Sequence, residues 1–364
     1  MDDNQLKTYS YQDLKKWVLK TLPDPLKIIK GISEPRHKTF LTNPNLTDLD
    51  EIAVVVANDN EVPVGRLTIF PIRMMIDGKI ENVMGGSDLY VNNNYRQKAA
   101  GTDLMMYPVL DERYRYILYA GASPQALPIY KKLKYQILEY PRMMQLRKSR
   151  SILESKGLHG VVLKMASFLV DIPLKLISVY IIIASRWKSK KYKIEQVQEV
   201  PKWVDNIFQK DTHKYKEIHD QKWLQWNLDF HFSDAPANMQ SFFIVKIGNE
   251  LLGYFMTKER YRVLAGGVLK NIVIGSIVEW GSFDENRLNE KDINILAMST
   301  FSNKVDILEF ATDNETVCEA MKKYFFRKHG FAHILFTDKQ RKHPDASDIN
   351  NWRIRYGYAD VILS

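Results

Sequence analysis

Apolar residues recur along this chain in two rhythms, and the switches between them divide it into elements. Around residues 11–22 they fall at helical spacing until Pro23 and Pro25 stop the helix. Residues 52–57 read as a strand followed by the turn Asn58-Asp59-Asn60, and a second strand covers 64–76. Asp77-Gly78 is a hairpin signal, and its partner strand runs over 79–91. The pattern then predicts a helix over 101–110, a strand over 116–119, a helix over 124–133 and a strand over 135–146 that closes the unit.

The second half repeats that order with different residues. A hairpin is predicted from 242–247 and 251–257 around Gly248-Asn249, then a long strand or hairpin arm over 268–283. A helix over 290–301, a strand over 306–311, a helix over 315–328 and a strand over 333–337 follow, with a last strand over 352–363. A meander followed by strand-helix-strand-helix-strand, met twice, predicts an α+β fold of two similar units, each a mixed, mostly antiparallel sheet flanked by helices. The expected division is 1–148, a helical linker over 149–194, and 195–364.

At 364 residues the length agrees with two domains. With 12% aromatic residues and scattered Gly and Pro, the chain is neither disordered nor fibrous. One cysteine, Cys318, excludes an intramolecular disulfide framework and a Cys-rich zinc module, and fits a reducing compartment. The opening MDDNQLK is acidic with no apolar core, so it does not read as a secretory signal, and a cytoplasmic location is expected.

Net charge changes the picture of the linker. The chain carries +9, and residues 142–193 hold twelve Lys/Arg against two acids, leaving 40 basic and 41 acidic residues elsewhere. Between 158 and 184 the sequence is mostly apolar, with Lys164, Ser167, Asp171, Lys175 and Ser178 tracing one narrow helical stripe. Pro173 is expected to kink or divide this helix. The charge-free run 176–184 is too short to span a bilayer. Two alternatives follow for residues 158–193: a helix lying on an anionic membrane surface, or a linker buried between the two units.

Candidate chemistry lies where the first meander meets its central helix. Asp88-Leu89-Tyr90-Val91 leads through three Asn to Tyr95-Arg96-Gln97-Lys98-Ala99-Ala100-Gly101-Thr102. Small residues at a helix N-terminus let free backbone N–H groups close around an anion, and Arg96 and Lys98 add positive charge, so a pyrophosphate is a natural ligand.

These residues, over roughly 5–148, resemble the GNAT superfamily of acetyl-CoA-dependent N-acetyltransferases. In that family an Arg/Gln-x-x-Gly-x-Gly/Ala loop cradles the pyrophosphate of coenzyme A, and residues 96–101 fill the pattern with Ala99 in place of the first Gly. A second family element, Tyr-x-x-x-Gly-Phe, is similar to Tyr130-Lys131-Lys132-Leu133-Lys134-Tyr135, with Lys134 in place of Gly. The resemblance implies an acetyl-CoA or other acyl-CoA co-substrate, no metal, and direct acyl transfer to an amine. It implies Tyr130 as the acid that protonates the leaving thiolate and Asp88 as the base. It further implies that the backbone of Leu89, Tyr90 and Val91 holds the thioester and pantetheine, and that Arg96, Gln97, Lys98, Ala99, Ala100, Gly101 and Thr102 hold the pyrophosphate. Tyr130 as a packed aromatic and Asp88 as a surface carboxylate are the competing readings.

The second unit lacks these features. Residues 284–290 carry three acids where the loop would be, and His329-Gly330-Phe331 is expected at the end of its last helix with Phe326 in the tyrosine position. Tandem architecture of this type is similar to Fem-type aminoacyltransferases and to acyltransferases of surface-polysaccharide pathways, the latter through 222–226 and 352–357. The acceptor is then a small-molecule or saccharide amine, an amino sugar or lipid-linked saccharide among them, and nucleic acid is not expected, because the charge sits beside an apolar helix rather than along an aromatic-lined groove. His213 and His219 are expected to be exposed, His231 has no evident partner, Cys318 is expected in the core, and His329/His333 do not make a metal site. The alternatives are a non-catalytic binding or scaffold protein with two degenerate units, docked at a membrane surface, and a Fem-type aminoacyltransferase.

Overall fold

The structure, a computed structural model, describes residues 6–22, 25–28, 32, 34–95, 100–229, 239–265 and 269–358. The first half runs β1 (Leu6–Ser10), α1 (Tyr11–Val18), α2 (Glu34–Leu41), β2 (Ile52–Asp59), β3 (Val62–Ile76), β4 (Lys79–Val91), α3 (Ala100–Leu110), β5 (Tyr116–Ala120), α4 (Leu127–Lys132) and β6 (Gln136–Leu146). Helices α5 (Arg150–Ser155) and α6 (Gly160–Ser189) link it to the second half. That half runs β7 (Lys193–Val197), α7 (Val204–Lys210), β8 (Tyr215–Glu217), α8 (Gln221–Asp229), β9 (Met239–Ile247), β10 (Glu250–Ala265), β11 (Leu269–Ser282), α9 (Glu290–Met298), β12 (Ile307–Ala311), α10 (Glu315–Lys322) and β13 (Arg327–Asp338). Apart from β8, the second order repeats the first, as the hydrophobic rhythm predicts.

Local chemistry sets several boundaries. Ser10 and Asp13 form a reciprocal capping box at the start of α1. Asp77 and Gly78 both adopt positive φ, the two-residue turn that matches strand twist, and join the longest strands of the first half. Along β2, Val54 and Val56 pack in a core with Leu14, Phe40 and Phe70, while Val55 and Ala57 pack with Leu104, Met84 and Ile117. Strand alternation therefore places α1 and α2 on one face of the sheet and α3 on the other.

All thirteen strands among the described residues join one mixed sheet, in the order β1-β2-β3-β4-β5-β13-β6-β12-β11-β10-β9-β7, with β8 against the end of β3. The centre of that order corrects the sequence reading. The strand predicted to close the first unit, β6, pairs with β12 of the second, and β13 pairs with β5 of the first. β6 and β13 also pair with each other. The two halves thus exchange their last strands. Arg115, immediately before β5, locks the exchange with a bidentate pair to buried Asp338 on β13, at 2.9 and 3.0 Å.

Three more expectations change. Pro173 does not divide α6, which is continuous over thirty residues. Its missing N–H costs the ladder bond to the Leu169 carbonyl, at a stretch where both residues are exposed. Residues 327–338 form one strand, so His329, Gly330 and His333 lie on β13 rather than at a helix end. Residues 352–358 form no strand; they run along the sheet, anchored by Arg353 N–H to the Tyr215 carbonyl and Gly357 N–H to the Val278 carbonyl. The remainder of the predicted last strand lies outside the described residues.

Candidate active site

In the first half, β4 and β5 run parallel but pair only from Val83 to Gly85 against Tyr116 to Leu118. Beyond Gly85 the strands part. β4 stays with β3 and β5 stays with β13, so a wedge opens in the middle of a continuous sheet. Parted strands expose ladder groups that a ligand in the wedge can pair with.

A bulge re-aims β4 at this point. Thr68 faces Ser87 and Arg66 faces Tyr90, so β4 carries one extra residue there, and Asp88 has φ of 51°. The Asp88 carboxylate turns toward α2, where its Oδ1 accepts from Arg36 Nη1 at 2.6 Å. Its other oxygen, Oδ2, is buried and takes no hydrogen bond. The bulge therefore presents one anchored and one available carboxylate oxygen beside the wedge.

Tyr130 lies across the sheet. It is buried on α4 and packs against Tyr119 and Tyr135 with ring centroids 5.2 and 5.1 Å away. Tyr119 covers the start of the wedge so closely that a Cβ at Gly86 would come within 1.8 Å of its ring. Burial raises the Tyr119 and Tyr135 phenols above their ordinary range, which keeps both protonated.

The rest of the expected cofactor site is partly in view. Leu89, Tyr90 and Val91 complete β4 past the bulge, and Tyr90 lies under the Arg66 guanidinium. Ala100, Gly101 and Thr102 open α3, with Gly101 next to Val91. Arg96, Gln97, Lys98 and Ala99 lie outside the described residues.

Lys134 fills its place without breaking the turn. It has φ of 63°, the conformation for which glycine is favoured. The Tyr135 N–H reaches the Tyr130 carbonyl at 3.1 Å, the helix-ending loop that such a residue permits. In the second half Phe325 has φ of 65°, and the Phe326 N–H reaches the Met321 carbonyl at 3.3 Å. The tyrosine position of the second half is thus Met321, not Phe326, and like Phe326 it has no proton to give.

The second wedge, where β11 and β12 pair only from Ile274 to Ser276 against Ile307 to Glu309, is built differently. Residues 353–357 run beside β11 past the point where β12 leaves it, with Arg355 stacked on Trp280 at 3.7 Å. Glu290 opens α9 where Ala100 opens α3, and burial lifts its pKa to about 7 against the pull of Arg355.

Sequence reading missed the charged cluster under this wedge. Glu279 is fully buried, with its carboxylate bonded to His219 Nδ1 and, at 2.9 Å, to Arg353 Nη2. His219, expected to be exposed, has no exposed surface and stacks on Trp223 at 3.7 Å. His213 is exposed as expected, beside Asp211, and Cys318 is buried. Burial opposes ionisation of both Glu279 and His219, but each is outweighed. Arg353 and His219 take Glu279 down to about 2, and Glu279 with Glu217 holds His219 above its ordinary value. Glu309, between Arg142, Arg260 and Ser276, is a second such centre, also lowered to about 2 by those arginines despite burial. The only available signal was the carboxylate and histidine residues themselves, which in sequence resemble solvated ones. Among the described residues no cluster of His, Cys, Asp and Glu is arranged to hold a metal ion.

No protein-family model and no curated protein matches the chain. Solved structures do match its fold. N-myristoyltransferase of Saccharomyces cerevisiae with bound myristoyl-CoA aligns over 92% of this chain and 83% of that one, at 11% identity and a TM-score of 0.56. A probable N-acyltransferase of Enterococcus faecalis covers 92% and 73%, at 12% identity and 0.51. A GCN5-related N-acetyltransferase of Anabaena variabilis covers 92% and 73%, at 10% identity and 0.52. The chain has the α+β fold of these acyltransferases.

Proposed function

We propose that the protein is an acyl-CoA-dependent N-acyltransferase whose chemistry takes place in the first wedge. The observation that carries this is the bulge at Asp88. It places a carboxylate with one free buried oxygen beside parted strands, on the sheet face opposite Tyr130. The residues present fit an acyl-CoA. β4 past the bulge offers main-chain partners to the thioester and pantetheine, and the first turn of α3, with Arg96 and Lys98 before it, suits a pyrophosphate.

The two faces divide the reaction. The amine approaches from the α2 side and attacks the thioester carbonyl, losing its proton to Asp88 Oδ2 while Arg36 holds the other oxygen. The C–N bond forms and the C–S bond breaks. The thiolate departs on the α4 side, where the Tyr130 hydroxyl gives its proton to sulfur; the Tyr130 phenolate then takes a proton from solvent as Asp88 releases one. An amine and a leaving thiol on opposite sides of one carbonyl avoid competing for the same space.

The second half, with residues 353–357 beside β11 and Glu290 at the head of α9, shapes the acceptor side in this reading and does not take a second acyl-CoA. We place the acceptor among amino sugars, including lipid-linked saccharides, at the inner face of a membrane contacted through residues 158–193. The test is thiol release from acetyl-CoA and longer acyl-CoAs in the presence of a panel of amino sugars. Acceptor-dependent release that Asp88→Asn lowers supports the reading; release from no ester with any amine, from protein that is folded, favours the non-catalytic scaffold.

A further inference from the structure

Helix α6 is built inside out. Leu163, Ser167, Asp171, Leu174, Ser178, Ile181 and Ser185 recur at spacings of three and four and form the side that faces the protein. Three serines and an aspartate thus lie on the inner face, and Asp171 Oδ1 accepts from both N–H and Oγ of Ser149 at 2.8 Å. The opposite pole is Met165, Leu169, Ile172, Leu176, Ile183 and Trp187, with Leu169 66% and Leu176 67% exposed. A helix of a water-soluble surface carries these faces the other way round. The structure excludes the alternative of a linker buried between the halves, because only 11% of the apolar window is buried.

By length and composition residues 160–185 suffice to cross a bilayer. The packing argues against crossing. Contact with the protein extends from Leu163 to Ser185, about 33 Å of helix at ~1.5 Å per residue, which exceeds a hydrocarbon core of ~30 Å. A spanning α6 would drag the residues beside it through lipid, including Arg147, Lys148 and Asn303.

We propose that α6 lies in the plane of an anionic membrane surface, with its outward pole immersed in the acyl region and the body of the protein above. Charge along one side of the helix and just past its end is complementary to such a surface. Lys164, Lys175, Lys190, Lys191 and Lys193 are exposed along it and at its end. Between α6 and the body lies a cavity of about 710 Å³ with Arg147, Lys148, Lys175 and the Ser149-bonded Asp171 on its polar wall and Val179, Ile182 and Phe301 on its apolar one, a net positive lining suited to a lipid headgroup and the start of its chain. Burial lowers Arg147 to about 10, against the pull of Glu259, and its Nε has no partner, so an anion there would relieve an unfavourable site. This deepens the membrane-surface part of the function proposed above, and acyl transfer stands or falls separately.

The test uses the full chain and vesicles of phosphatidylcholine with or without phosphatidylglycerol. Flotation with the anionic vesicles, weakened by salt, is expected. Lys175→Glu with Lys190→Glu should lower binding roughly tenfold or more. Leu169→Glu with Leu176→Glu should abolish it without changing the melting temperature, since both side chains are exposed. Spin labels on Met165→Cys, Ile172→Cys and Ile183→Cys, the natural Cys318 being buried, should report similar depths although the outer two are about 27 Å apart along the helix. A steady depth gradient from 165 to 183 would mean a span and overturn the proposal. Absence of flotation overturns it too, as does a Leu169→Glu, Leu176→Glu protein that still floats but has lost self-association, which would make the apolar face an interface between copies.

Discussion

Asp88 and Glu279 stand at the same place in the two halves of the sheet, each three residues past the last paired position of its parallel strands, and each is held by an arginine. Their surroundings give them different tasks. Asp88 keeps a free oxygen at an open wedge, whereas Glu279 is closed in by His219, Arg353 and residues of the C-terminal segment.

Removing the two charges should therefore separate stability from turnover. Glu279→Gln leaves His219 and Arg353 buried with fewer countercharges and should lower unfolding free energy by about 3–5 kcal/mol in a denaturant titration. Asp88→Asn should leave the transition within about 1 kcal/mol, because its pair with Arg36 is partly exposed, and lower turnover by roughly 10²-fold or more.

Stability should depend on pH in both directions. Glu279 is depressed to about 2, so its contribution is present above the ordinary glutamate range near pH 4.3 and is lost as pH falls toward 2. His219 is raised, so its contribution is full below about 6.5 and is lost as pH climbs through its folded value. Melting temperature against pH should show both slopes, and His219→Gln should remove the alkaline one.

Strand exchange makes the halves one folding unit. A chain ending at 148 leaves β5 and β6 without their partners from the second half. We expect such a fragment to be insoluble or unfolded. Heating the whole protein should give one transition by circular dichroism and tryptophan fluorescence; two separated transitions would show that the halves are independent.

Tyr130→Phe should lower turnover at least roughly 10²-fold while acyl-CoA affinity changes little. The ring keeps its packing against Tyr119 and Tyr135, so a loss of affinity or melting temperature without a specific loss of rate would assign Tyr130 to the core.

Element order was legible because period-2 and period-3.6 patterns survive in both halves. The exchange of β6 and β13 was not, since alternation along Gln136–Leu146 is satisfied by either neighbour. The inner stripe of α6 could be read from Ser167, Asp171 and Ser178, although Lys164 and Lys175, assigned to the same stripe, lie at its exposed margin. The strand that carries Asp88 was legible, but its bulge was not, because one Asp in an unbroken β pattern does not mark a residue that takes positive φ. The Glu279–His219–Arg353 cluster is assembled from residues up to 134 positions apart in sequence, from Arg353 back to His219.

The central claim is that the first wedge binds an acyl-CoA, and a thermal-shift titration with acetyl-CoA and longer acyl-CoAs tests it most directly. A ligand specific for the folded state adds about 2.7 kcal/mol at 100 times its Kd. We expect a saturable rise in melting temperature that Arg96→Glu abolishes and Glu290→Ala leaves intact. No shift with any coenzyme A ester, or a shift that Glu290→Ala removes and Arg96→Glu does not, would contradict the account.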